Sequence, residues 1–138
     1  MYRRILVGYD GSDASQKALD QACALAAQHD AELHVITVAR PPDIGDDVES
    51  EAIIESSREH HRRMLAALKP ELKAKKIKSH LEVAVGHPAE QIIYYADKHA
   101  ADLIVLGDRG HSRLRRLLLG SVTRQVTEHA DRPVLVVR

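Results

Sequence analysis

Five short apolar runs recur along this chain, and each is separated from the next by enough residues for a helix. They are RILVG near the start, then LHVITV, SHLEVAV, ADLIVLG and finally RPVLVVR. Continuous apolar runs of this length suit strands buried on both faces. Crossovers long enough for a helix make such strands parallel, with right-handed connections. The expected fold is therefore an open doubly wound α/β domain with a five-stranded parallel sheet, in one domain over residues 1–138. SHLEVAV alternates polar and apolar residues, which places the third strand near a sheet edge.

The crossovers carry their own signals. After the first strand, Ser12 or Asp13 can cap a helix, and Gln16 follows Asp13 at capping-box spacing. That helix should run to about Gln28, with Ala18, Leu19, Ala22, Leu25 and Ala26 on one stripe. A long helical stretch is expected over 48 to 76, kinked or split by Pro70. Pro88 suits the first turn of the next helix, and SVTRQVTEHA reads as the last, with Val122 and Val126 inward.

Composition narrows the function. Twenty basic residues balance twenty acidic ones, so no global field attracts nucleic acid or membranes. There is no Phe or Trp to build a stacking platform for bases. The single cysteine, Cys23, lies in an Ala-rich helical pattern and reads as a packed residue. No apolar stretch reaches the ~18 residues of a membrane span, and the start lacks a signal-peptide pattern. A cytoplasmic location is the expectation.

In an open parallel sheet, ligands bind at the carboxyl edge of the strands, where the strand order reverses. Two glycine-bearing loops leave that edge: GYDGSD after the first strand and GDRGHSRLRRLLLGSVT after the fourth. In the second, Gly107 and Gly110 permit positive φ and close approach, and neighbouring N–H groups can form an anion nest. Ser121 is the expected N-cap of the last helix, leaving the N–H groups of Val122, Thr123 and Arg124 toward an anion. The Ser121 and Thr123 hydroxyls add donors, and Arg109, Arg113, Arg115 and Arg116 add positive charge. The competing reading is a plain turn, with Arg115 and Arg116 on a solvated face. The spacing is neither a Walker loop nor a Gly-x-Gly-x-x-Gly fingerprint.

Read together, Gly107, two residues, Gly110, nine residues, Gly120 and Ser121 resemble the nucleotide signature of the universal stress protein family. With ILVGYDGSDAS, LHVITV, GHPAEQIIYYADKHAADLIVLGDRG and the last 22 residues, the whole chain resembles the universal stress protein family. The resemblance implies a Rossmann-like fold of the adenine nucleotide α-hydrolase type, with strand order 3-2-1-4-5. It implies ATP binding, and a homodimer formed through the last strand, residues 134 to 137. It places Gly8, Tyr9 and Asp10 beside the adenosine and the Val38 backbone at the adenine edge. Gly107, Asp108, Arg109, Gly110, His111, Ser112 and Arg113, with Gly120, Ser121, Val122 and Thr123, would hold phosphates and ribose. Two positions depart from the family pattern. Asp108 stands where small polar residues are common, and repels a triphosphate unless it points away or holds Mg²⁺. Arg113 also replaces a smaller residue, and either clamps a phosphate or obstructs it.

No residue stands out as a dedicated catalytic base, although Asp10, Asp108 and His111 could be considered. The resemblance implies at most slow ATP turnover or autophosphorylation at Ser121 or Thr123. Three functions stay open: a nucleotide-dependent regulatory module of the stress response, a slow ATPase or phosphotransferase, and an interaction module that needs no nucleotide. Among the histidines, His60 and His61 read as a solvated face, His34 as a packed or hydrogen-bonded strand residue, and His87 as a possible crevice residue. His80 and Glu82 share a strand face, but no third metal ligand lies in register. RPPDIGDD, at the carboxyl edge, has the length and composition of a lid.

Overall fold

The computed structural model describes residues 1–41, 48–109 and 119–138, with backbone alone at 48–50. The expected lid loop lies largely outside these residues. The elements run β1 (Arg4–Gly8), α1 (Asp13–His29), β2 (Glu32–Ala39), α2 (Val48–Ala66), α3 (Lys69–Ala74), β3 (Ser79–Val85), α4 (Pro88–Lys98), β4 (Leu103–Gly107), α5 (Ser121–His129) and β5 (Val134–Val137). All strand pairs are parallel, and the sheet order is β3-β2-β1-β4-β5. The alternating strand β3 is at an edge, as its pattern predicts.

The period of two along each strand sorts its side chains between two cores. Ile5, Val7, Leu33, Val35, Leu103 and Val105 pack with α1 and with Leu65, Leu68 and Leu72 from the α2–α3 region. Leu6, Ile36, Ala84, Ile104 and Leu106 pack with α4 and α5 on the other face. The central strand is covered on both faces, which is why its sequence is an unbroken apolar run. Cys23 is 3% exposed within the first core, and burial pushes its thiol pKa upward.

Local signals explain the helix ends. Ser12 caps α1, its hydroxyl accepting from the Ser15 N–H at 3.2 Å. The capping-box partner does not form: the Gln16 amide turns to Asp20 and Tyr9. The long helical stretch is split, and Pro70 sits in the first turn of α3, where its missing N–H has no helical acceptor to lose. Leu68, immediately before α3, is 6% exposed and anchors the break in the core.

One distant side chain fastens the end of α4. Arg132, just before β5, donates from Nη1 to the Ala96 carbonyl at 2.6 Å and the Ala101 carbonyl at 2.7 Å. Its Nη2 pairs with the Asp97 carboxylate. Arg132→Ala leaves both carbonyls without this donor and should cost about 1–3 kcal/mol, read as a lowered urea midpoint. Arg132→Lys should recover only part of that loss, because an ammonium lacks the planar fork. A wild-type midpoint in the alanine variant would refute this role.

Candidate functional site

The strand order reverses between β1 and β4, so the crevice at their carboxyl ends is the switch point. Gly8 ends β1 there, and the Tyr9 N–H continues the pairing by donating to the Ile36 carbonyl at 2.9 Å. Gly107 ends β4 beside it. A side chain on Gly107 would lie 2.8 Å from the backbone of Ala14, in the first turn of α1. Close approach is therefore the reason for this glycine. The positive φ expected at Gly107 is not found, and Gly110 lies outside the described residues; among the described glycines positive φ occurs at Gly11, in the turn into α1, and at Gly86. Gly8 also packs closely, but against the ends of the Leu106 and Ile92 side chains.

A set of hydrogen bonds gathers the fourth loop's two ends. The Gly120 N–H donates to the Asp108 carbonyl at 2.7 Å, and the Asp108 N–H donates to the Val137 carbonyl at 2.9 Å. The Thr123 hydroxyl donates to the Gly107 carbonyl at 2.7 Å and is buried. Its proton is thus committed to the scaffold, contrary to the expectation of a donor for ligand. Ser121 is exposed at the first position of α5. Its expected role as N-cap is corrected. Gly120 holds that position, with φ −59° and ψ 153°, because its N–H is anchored to Asp108 while its carbonyl accepts from Arg124 at 2.9 Å. The helix N–H groups without an internal acceptor are therefore those of Ser121, Val122 and Thr123, one residue earlier than expected.

On the β1 side, Asp10 is exposed, and one of its carboxylate oxygens accepts from the Ser12 N–H at 2.9 Å and from the Ser12 hydroxyl. The Tyr9 ring packs on the α1 side, its hydroxyl donating to Gln16 at 3.2 Å. Burial, reinforced by Glu71, Asp10 and Asp20, raises its pKa. Val38, near the end of β2, is half-buried on the opposite, α4 face. Asp108 and Arg109 are half-buried where the chain leaves β4. Gly110, His111, Ser112 and Arg113 lie outside the described residues, as do Arg115 and Arg116. The structure therefore brings together Gly8, Gly107, Asp108, Gly120 and Thr123 around one edge, with Asp10 and Ser121 on its exposed rim.

Known proteins resemble this chain over its whole length. A sequence model of the Universal stress protein family matches residues 1–138. The chain belongs to that family. It is 38% identical over 141 residues to universal stress protein MJ0531 of Methanocaldococcus jannaschii, covering 100% of this chain and 83% of that protein. Among solved universal stress proteins, UspA from Lactobacillus plantarum superposes with a TM-score of 0.86 at 29% identity, covering 99% of this chain and 98% of the other. A universal stress protein solved in complex with cAMP has a TM-score of 0.77 at 29% identity, covering 99% and 97%. No helix among the described residues of this family member is long and apolar enough to cross a membrane.

Strand-by-strand reading misses a second cluster. His34 pairs in register with His80, and His99, capping α4, stacks on its other side. His80 and Glu82 do not form one set with a third ligand; His34 and His99, arriving from other elements, instead divide them between two donor sets, Glu32–His34–His80 and His34–Glu82–His99. Only strand pairing and helix packing bring them there.

The two close glycines make a prediction. Gly107→Ala drives a methyl group into backbone and should cost about 1–3 kcal/mol, whereas Gly8→Ala meets movable side-chain ends and should cost less. Equal denaturation midpoints for the two variants would contradict this ordering.

Proposed function

We propose that this protein binds an adenine nucleotide, with ATP as the principal ligand, and acts as a nucleotide-dependent regulatory module of the stress response in the cytoplasm. The observation that carries the reading is the Gly120–Asp108 hydrogen bond, which sets the last glycine of the Gly107-to-Ser121 signature beside its first at the switch point. The N–H groups of Ser121 and Val122 then start a helix whose dipole favours phosphate. The relative solved with cAMP supports an adenine ligand for this fold at 29% identity. In this assignment Gly8, Tyr9, Asp10 and Val38 line the nucleoside end. Gly107, Asp108, Arg109, Gly110, His111, Ser112, Arg113, Gly120, Ser121, Val122 and Thr123 surround ribose and phosphates. Asp108 takes a favourable role only with Mg²⁺ between it and the phosphates.

Thermal shift with ATP, ADP, AMP and cAMP, with and without Mg²⁺, tests this. Ligand at 100 times its Kd should add about 2.7 kcal/mol, or roughly 10 °C in Tm. Ser121→Pro should weaken the response by removing an N–H donor while keeping a residue suited to helix position N1. No shift with any nucleotide, and none co-purifying, would leave an interaction module as the function. Phosphate release that vanishes in Asp108→Asn would instead make the protein a slow ATPase.

The proposal includes a homodimer through β5. Among the described residues this strand pairs with β4 alone, and its four residues VLVV are each partly exposed in the single chain. An apolar edge strand of this kind is suited to pairing with a second copy. Val136→Glu should convert the dimer to monomer in light scattering after size exclusion. A wild-type monomer, or a dimer indifferent to the substitution, would exclude this interface.

A further inference from the structure

The second cluster lies away from the nucleotide edge. His34 is the third residue of β2 and His80 the second of β3, so both lie toward the amino ends of their strands. The rings of His34 and His80 stack with centroids 4.6 Å apart, and those of His34 and His99 with centroids 4.4 Å apart. His34 is only 7% exposed, and neither of its ring nitrogens has a hydrogen-bond partner. Its nearest carboxylate contact, Nε2 to Glu32, is 3.7 Å, too long for a hydrogen bond. A buried polar side chain left this way is costly unless something else satisfies it.

Two sets of three donors surround that ring. One donor atom each from His34, Glu82 and His99 lie within 4.8 Å of one another, and the same holds for Glu32, His34 and His80. The two sets differ in what already occupies their carboxylate. Glu32 is held by Lys78 at 2.9 Å, with Arg4 at 4.0 Å, so its charge is largely answered. Glu82 has only His99 as an ion-pair partner among the described residues, at 2.6 Å. The His99 side chain is 22% exposed against 44% for His80, so the first set is also the better shielded.

We propose that His34, Glu82 and His99 bind a divalent transition-metal ion of the zinc class. Two imidazoles and a carboxylate are borderline donors that suit Zn²⁺ and not Mg²⁺ or Ca²⁺. Neutral imidazole is the ligating form. Ligand atoms on a tetrahedral Zn²⁺ are about 3.3 Å apart, given bonds near 2.0–2.1 Å. Binding would open the His99–Glu82 hydrogen bond slightly and would require the His34 and His99 rings, now stacked at 22°, to turn until their in-plane lone pairs converge on the ion. The fourth position is left to water. Such an ion would tie β2, β3 and the end of α4 together, giving the edge strand a cross-link that its single strand partner does not.

The test uses untagged full-length protein treated with EDTA and then titrated with Zn²⁺, Co²⁺ or Mg²⁺. One equivalent of Zn²⁺ should bind and raise the Tm, Mg²⁺ should not, and Co²⁺ should give the visible ligand-field bands of a four-coordinate site. His99→Gln and Glu82→Gln should weaken Zn²⁺ binding by more than about 100-fold, since each loses a direct ligand and not merely a supporting contact. Circular dichroism of these partly exposed variants in EDTA confirms that they fold. His80→Gln and Glu32→Gln should keep binding within about threefold of wild type. Absence of saturable binding by folded wild-type protein overturns the proposal. So does loss of binding in His80→Gln with retention in His99→Gln, which would assign the ion to the other set.

Discussion

The first turn of α1 rests so closely on the end of β4 that no side chain fits between them. A methyl group on Gly107 would stand 2.8 Å from the Ala14 carbonyl group, a contact with backbone that cannot rotate away. This approach brings the βα turn after β1 up to the strand across the switch point. The Gly107 carbonyl is then held by Thr123 and the Asp108 carbonyl by Gly120, so α5 begins at a fixed place beside β4. The Asp108 N–H reaches Val137 and extends the β4–β5 pairing to the same point. Two crossovers, through α1 and α5, and the last strand are therefore registered around one glycine, and the geometry of the candidate nucleotide edge follows from it.

The fold was legible because parallel strands buried on both faces must be apolar at every position, as ILV in β1 and LIVL in β4 are. The polar alternation of β3 likewise revealed an edge. Pro70 and Ser12 marked helix boundaries through chemistry that acts within a few residues. The failures share a different cause. Ser121 is a better intrinsic cap than Gly120, but a hydrogen bond from outside the helix fixes the backbone one residue earlier. Gly107 looked like a residue needed for positive φ, but a helix distant in sequence sets the requirement. Gln16 had the spacing of a capping-box partner and found Tyr9 and Asp20 nearer at hand.

The candidate site divides along the same line. The signature residues were visible because their spacing is local to one loop and one helix start. The histidine cluster was half visible, since His80 and Glu82 stand two apart on one strand. His34 joins them through strand register, and His99 through the packing of α4 on the sheet. Neither constraint is written in the spacing of any one segment, so scanning for ligands within a strand stops at two.

Strand β2 connects the two regions. His34, Ile36 and Val38 alternate onto its α4 face, and the step from His34 to Val38 covers about 13 Å at the usual strand rise. Between them Ile36 is 2% exposed and pairs in register with Glu82 of β3, while Ala84, the register partner of Val38, is 3% exposed. Among the described residues, the apolar side chains of Ile36, Ala84 and Val38 lie on this face between the imidazoles and the proposed nucleotide edge. The elements common to both ends are β2 and α4, and coupling through them requires their movement as rigid pieces. The close packing of Ile92 and Ala96 under that face resists such movement, because shifting either helix or strand opens a void in a full core. The physical expectation is two sites that share a strand and act independently.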